Sequence, residues 1–327
     1  MAKKKATILV TGAKGFVGSH VVRSLNRRKI RPRVLVRPGG NLANLTDVDI
    51  EIVEGDLTDR VAVEKALKGC TQVIHVAGYV SPRPSERQKL LDNNLVATTT
   101  LLDVAKEIGI ERIAHLGSVT GLGASDKPEI WQEGSSNNLG KVGSGYFDAK
   151  HATEVAVEER IKIGMPIIRL HPAYCLGPND IYLSSSRLVT EFLKGNIPFV
   201  TNAGMGFVDV RDVGEAMVLG LEKGQIGQKY FLSGHNLTYR QFYEMLAQLD
   251  GRAAPKITLP HWLLYIMCML AERPTDGALF SRSFYMAMAR YWWYDNSRAE
   301  QELGWVFRPL KETLRDSIDW LKKGGYV

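Results

Sequence analysis

Tyr146 and Lys150 stand four residues apart in Tyr146-Phe147-Asp148-Ala149-Lys150, so a phenol and an ammonium share one face of a helix that runs on through Glu154 and Val157. Two such groups can act on one small molecule. Positive charge near the ring favours phenolate, lowers the tyrosine pKa and lets Tyr146 exchange a proton with a substrate oxygen near neutral pH. Of the 12 tyrosines, only Tyr146 has a lysine at this spacing. Ser118 lies in Gly117-Ser118-Val119-Thr120-Gly121, after an apolar run. A hydroxyl there would sit at the carboxyl edge of a sheet, where ligands bind; the alternative is a turn serine.

A third group is the glycine run Thr11-Gly12-Ala13-Lys14-Gly15-Phe16-Val17-Gly18, between an apolar strand and a helical stretch from Ser19 to about Asn26. Gly12 permits a tight turn, Gly15 lets a pyrophosphate approach the backbone, and Gly18 lets helix and strand pack closely. The helix N-terminus attracts the negative charge. In this order the run reads as a nucleotide site rather than an ordinary glycine-rich turn. The next strand ends Val34-Leu35-Val36-Arg37, with no carboxylate until Asp47. An acid there would suit the ribose of NAD, so Arg37 favours NADP(H) over NAD(H), the alternative being a solvated loop charge.

These groups need a scaffold that brings strand ends together. From Thr7 to about Arg169, short β-branched runs alternate with helical patterns, the form of repeated βαβ units. The strands are Thr7 to Val10, Arg33 to Val36, Ile50 to Glu54, Gln72 to Ala77, Arg112 to Leu116 and Pro166 to Leu170. They are apolar on both parities, as expected where helices cover both faces. The predicted fold class is α/β, a doubly wound parallel sheet of the Rossmann type, with a smaller, mainly helical C-terminal substrate lobe. Residues 1–175 form the cofactor-binding domain and 176–327 mainly the substrate lobe. Phe207 to Val210 and Tyr230 to Leu232, within 207–235, are expected to return to the main sheet.

The 327 residues are 45% hydrophobic and 24% charged, which argues for a folded protein and against disorder, collagen repeats or a coiled coil. Lysine and arginine number 42 against 35 acids, a net +7 that includes the Lys3 to Lys5 run. No basic stripe interleaved with aromatics appears, so no nucleic-acid partner is expected. Cys70, Cys175 and Cys268 show neither disulfide nor metal spacing, and His171 has no second ligand at metal spacing, so no metal is expected. A reducing, cytoplasmic setting is the simplest. The apolar run at the N-terminus stops at Thr11-Gly12, too short for a signal peptide. Trp262 to Ala271 falls short of the about 20 residues that span a bilayer. It reads as a buried helix, with weak membrane-surface contact as the alternative.

Taken in order, these pieces resemble an extended short-chain dehydrogenase/reductase, of the NAD-dependent epimerase/dehydratase family, in its dihydroflavonol-4-reductase-like and 3β-hydroxysteroid-dehydrogenase-like branches. The matching segments are TGAKGFVG at 11–18, EGDLTD at 54–59, HVAG at 75–78, DNNLVATTTLL at 92–102, LGSVTG at 116–121, YFDAK at 146–150 and FVDVRDVGEA at 207–216. The resemblance implies that Ser118, Tyr146 and Lys150 are catalytic and that Asn94 braces the site. It implies cofactor contacts from Gly12, Gly15, Phe16, Val17, Gly18, Arg37, Asp56, Leu57, Ala77, Gly78 and Pro172. Ordinary roles stand beside these: Asp56 as a turn former, Asp209 and Asp212 as helix caps. The chain departs from the pattern at Ala97, where a glycine is usual, and at His171-Pro172, where Arg-Pro is usual.

The resulting expectation is an NADP(H)-dependent oxidoreductase that moves hydride between nicotinamide and a hydrophobic ketone or secondary alcohol. The apolar surplus of the second half, including Phe192, Trp262, Phe280, Phe284 and Trp292, favours such a substrate, although helix core explains most of it. Arg187, Lys194, Arg282 and Arg290 could serve a diphosphate instead. Two alternatives remain: a nucleotide-sugar epimerase or dehydratase with tightly bound NAD, and a non-catalytic dinucleotide-binding scaffold. A homodimer is implied by the resemblance.

Overall fold

The computed structural model describes residues 7–135, 137–140, 142–277 and 280–327, so the Lys3 to Lys5 run lies outside the described residues. The first six strands are β1 (Ile8–Thr11), β2 (Arg33–Val36), β3 (Glu51–Glu54), β4 (Gln72–His75), β5 (Arg112–Leu116) and β6 (Ile167–Pro172). The later ones are β7 (Tyr174–Leu176), β8 (Phe199–Val200), β9 (Gly204–Asp209), β10 (Lys229–Leu232), β11 (His235–Thr238), β12 (Ile257–Thr258) and β13 (Tyr291–Trp292). Helices α1 (Phe16–Arg27), α2 (Arg60–Leu67), α3 (Arg87–Leu91), α4 (Ala97–Ile108) and α5 (Gly145–Lys162) connect the first six strands. Beyond them come α6 (Arg187–Leu193), α7 (Val210–Lys223), α8 (Tyr239–Asp250), α9 (His261–Glu272), α10 (Arg282–Met288) and α11 (Leu310–Lys323).

The main sheet has seven strands in the order β10-β6-β5-β4-β1-β2-β3, and every neighbouring pair is parallel. Alternation along β1 explains why both parities are apolar. Ile8 and Val10 pack with Val21, Val22 and Leu25 of α1 and Val213 and Met217 of α7. Leu9 faces the opposite way, onto Val63 and Leu67 of α2, Leu101 and Ala105 of α4 and Val157 of α5. The strand order reverses between β1 and β4, so the chain leaves their carboxyl ends in opposite directions and a crevice opens there.

Two expectations are corrected. Tyr230 to Leu232 does join the main sheet, as β10 beside β6. Phe207 to Val210 does not: Gly204–Asp209 forms β9 of a second sheet with β7, β11 and β13, and Val210 already begins α7. The reason is packing, because Phe207 points into the lobe core and stacks on Phe242 with ring centroids 4.1 Å apart. The helix at Trp262 to Ala271 is also not buried throughout. Leu264 and Cys268 of α9 reach the core, whereas Trp262, Tyr265, Ile266 and Leu270 are exposed.

Candidate active site

The glycine turn lies at the crevice. Gly12 adopts φ +69, and a Cβ there would come 2.6 Å from the Ala77 backbone nitrogen, so β1 and the end of β4 approach this closely only with glycine. At Gly18 a side chain would strike the Gly12 carbonyl oxygen. Gly15 has open space apart from that same oxygen at 3.2 Å, and no side chain caps α1, which begins at Phe16. With no side chain capping them, the first amides of α1 are left for a ligand to satisfy, and the open space at Gly15 fits a dinucleotide pyrophosphate. Phe16 is buried and Val17 half-buried beneath the turn. The hydroxyl of Thr11 is 2.7 Å from Nδ1 of His75 and accepts from the Ala77 amide at 3.3 Å, which fixes the two strand ends together.

Beyond β2, the exposed Arg37 donates to Asn93 at 3.2 Å and lies 4.0 Å from Asp56. Asp56 also accepts from the Thr58 amide at 2.9 Å, which is the turn role, and Leu57 packs against the α2 and α4 side of the sheet. Lys14 was not singled out by sequence. Its ammonium lies against Gly40, in the space a side chain there would fill, and burial followed by the nearby Arg37 lowers its pKa. Two cations therefore meet at the edge of β2.

The structure brings Ser118, Tyr146, Lys150, Asn94 and Gly78 together. Helix α5 is started by Ser144, whose hydroxyl accepts from the Phe147 amide at 3.5 Å, and this sets the phase of Tyr146 and Lys150. The half-buried Tyr146 phenol faces the hydroxyls of Ser118 and Thr120. Burial pushes its pKa above the usual value and those hydroxyls pull the other way, so the lowering expected from Lys150 is not what dominates. Ser118 is 2.7 Å from the Thr120 hydroxyl and caps the short turn Val119–Gly121. A side chain at Gly78 would meet Asn94 Oδ1 at 3.1 Å and Lys150 Nζ at 3.2 Å. Asn94 is buried in a π-type turn, Asp92–Val96; its amide donates to the Tyr79 and Leu90 carbonyls at 3.0 and 2.8 Å, and its oxygen accepts from the Tyr79 amide at 3.2 Å. Ala77 lies against Gly12, and Pro172 is buried at the end of β6 opposite Leu232.

One turn past Lys150, the buried Glu154 accepts from Arg169 at 2.9 Å and lies 2.9 Å from Nε2 of His171. Burial alone would raise Glu154, but His171 and Arg169 bring it well below the usual carboxylate range. Burial pushes Lys150 down to about 8, and Glu154 opposes the shift. His75 and His115 stack 5.2 Å apart on the neighbouring strands, and burial keeps both uncharged, His75 at about 3. Sequence reasoning passed over Glu154, although it continues the Tyr146 and Lys150 spacing. Asp209 and Asp212 are structural: Asp209 caps α7 through the Arg211 amide at 2.7 Å, and Asp212 pairs with Arg308 at 2.7 Å.

A recess of about 320 Å³ lies at the lobe face, lined by Pro84, Met269, Glu272, Arg273, Asp276 and Arg282. Arg282 reaches the Gly143 carbonyl at 3.5 Å, three residues before Tyr146. Arg290 pairs with Asp126 at 3.4 Å instead of facing the recess. Most of the large apolar groups form the lobe core, with Phe192 and Trp292 buried and Phe280, Phe284 and Tyr285 partly so.

Comparison with known proteins gives the family of the chain. Residues 8–232 match the family described as the NAD dependent epimerase/dehydratase family. A Synechocystis protein provisionally named dihydroflavonol 4-reductase is 30% identical, over 97% of this chain and 95% of its own. Sterol demethylase protein B of Methylococcus capsulatus is 29% identical, over 98% of this chain and 100% of its own. The crystal structure of gox2253 superposes with a TM-score of 0.86 at 31% identity, covering 98% of this chain and 99% of that one. The chain belongs to the NAD dependent epimerase/dehydratase family and is an oxidoreductase of the extended short-chain dehydrogenase/reductase type.

Proposed function

We propose that the protein transfers hydride between NADP(H) and an apolar ketone or secondary alcohol, with Ser118, Tyr146 and Lys150 as its catalytic residues. The observation that carries this reading is the convergence at one crevice: Tyr146 faces the Ser118 hydroxyl, and Lys150 and Asn94 meet at Gly78. The nicotinamide, when bound, supplies or accepts the hydride. In reduction, Ser118 Oγ donates to the substrate oxygen and orients it, and Tyr146 Oη hands that oxygen a proton. The raised phenol pKa keeps this proton in place until it is needed. Lys150 Nζ bonds the ribose and stabilises the phenolate left behind. Asn94 holds the Gly78–Tyr79 backbone that borders the cofactor.

Arg37 and Lys14 support NADP(H), because two cations suit a 2′-phosphate better than a bare ribose. Relatives named for dihydroflavonol reduction and sterol demethylation, together with the apolar lobe, support a hydrophobic substrate. The same reading includes a homodimer, measurable by sedimentation. The test is titration of nucleotide-stripped protein with NADPH and NADH, followed by a panel of apolar ketones and the Tyr146→Phe variant. NADPH should bind more tightly and be consumed, and Tyr146→Phe should lose turnover by roughly 10²- to 10⁴-fold while keeping cofactor affinity. Normal turnover by that variant would overturn the assignment. Tightly retained NAD with no net NADPH consumption would establish the nucleotide-sugar epimerase or dehydratase reading instead.

A further inference from the structure

Helix α9 is apolar on both faces. Its inner side gives Leu264 and Cys268 to the lobe core, while Trp262, Tyr265, Ile266 and Leu270 stand on the outer side, 66, 49, 44 and 72% exposed. This spacing is one helical stripe, where a solvated helix would carry its charges. The only carboxylate of α9 is Glu272 at its last position, and it accepts from the Arg282 amide at 3.0 Å. Cations flank the helix in the chain. Lys256 precedes it beside Ile257, itself 61% exposed, and Arg273 follows it; both are exposed, and no carboxylate among the described residues pairs with either.

An apolar stripe containing tryptophan and tyrosine, with cations at both ends, complements the headgroups and acyl boundary of an anionic bilayer. A second copy of the chain fits less well. Four side chains expose a few hundred Å², below the roughly 800 Å² per partner of a stable interface. A twofold copy would also set the positive end of one stripe against the positive end of the other. The same helix walls the recess, because its Met269 and Glu272 line it, with Arg273 just beyond its end and Arg282. Contact at the surface suffices, since no helix among the described residues is long and apolar enough to cross a membrane.

We propose that the outer stripe of α9 seats the protein peripherally on an anionic lipid bilayer, with the recess beside the lipid surface. This goes beyond the proposed reaction and does not depend on it. The full chain is mixed with phosphatidylcholine vesicles, with and without phosphatidylglycerol, and bound protein is measured by sedimentation at low and high salt. Binding should require phosphatidylglycerol and weaken with salt. Trp262→Ser with Leu270→Ser should cut the partition coefficient at least ~10-fold while NADPH binding and the melting temperature hold. If that variant fails to fold, Lys256→Gln with Arg273→Gln, which leaves the apolar stripe intact, should lower binding to anionic vesicles by a comparable factor. Absence of vesicle binding, or binding that neither pair of substitutions weakens, overturns the proposal. So does conversion of a dimer to a monomer by the serine pair, which would assign the stripe to a second copy.

Discussion

Glu154→Gln removes the negative charge one helical turn beyond Lys150 and keeps the size and an acceptor oxygen. Side chains at this spacing lie about 6 Å apart. Two unit charges at that distance interact by about 3 kcal/mol at an effective dielectric of about 20, equivalent to roughly 2 pKa units. Lys150, held at about 8 by burial against the pull of Glu154, is roughly nine-tenths protonated at pH 7. Without Glu154, the burial that depresses Lys150 is no longer opposed, so the direction is downward. The proposed reduction uses Lys150 in its charged form, so the wild-type rate should fall as pH rises through about 8, and the variant's should fall roughly 1 to 2 units lower. Initial rates of NADPH-dependent reduction across neutral and alkaline pH, with kcat and KM separated, give the measurement. Removing one partner of a buried pair also costs about 3–5 kcal/mol of stability, so a lower melting temperature alone proves nothing. Glu154→Asp should restore part of the original profile. An unchanged alkaline limb in folded Glu154→Gln would refute the reasoning and leave Glu154 as a partner of Arg169 and His171 only.

Lys14→Ala and Arg37→Ala should each weaken NADPH binding by about 10- to 100-fold, the worth of a charge-assisted hydrogen bond, with NADH affinity unchanged. Equal losses for the two cofactors, read by fluorescence titration, would remove both residues from a 2′-phosphate site. Stability should fall on acidification. His75 and His20 are pushed down by burial to about 3 and about 4, and His115 lies well below its ordinary value. Below pH of about 6.5 the unfolded chain therefore binds protons that the folded one refuses, at roughly 1.4 kcal/mol per pH unit for each histidine until its folded pKa is reached. Thermal melts at descending pH should show the decline, and a flat melting temperature from pH of about 7 to about 5 would contradict the buried, neutral assignment.

The parts of the site that were legible in the sequence are those fixed within one local segment. The glycine turn and the Tyr146–Lys150 pair depend on separations of a few residues, which a turn or a helix converts directly into geometry. Ser118 follows from one strand end. What was missed depends on which strand lies beside which element. Lys14 is visible within the turn, but its meeting with Arg37 requires β1 beside β2. Phe207 was placed in the wrong sheet because the alternation of a strand does not name its neighbours. The apolar run of α9 likewise did not say which of its sides the lobe would cover.

Glu154 is the instructive case, because strand parity contained a signal that spacing alone did not use. On β6, Ile168 and Leu170 face the α7 side, and Ile167 faces the α5 side with Val157. Arg169 and His171 share the parity of Ile167, so a strand buried on both faces presents an arginine and a histidine toward α5. A buried guanidinium requires a carboxylate, and Glu154 supplies it on the turn after Lys150. Successive turns of α5 thus carry a half-buried phenol, an ammonium whose pKa is depressed, and a fully paired carboxylate. That order sets the end of the helix proposed to handle the proton one turn from an ion pair inside the sheet.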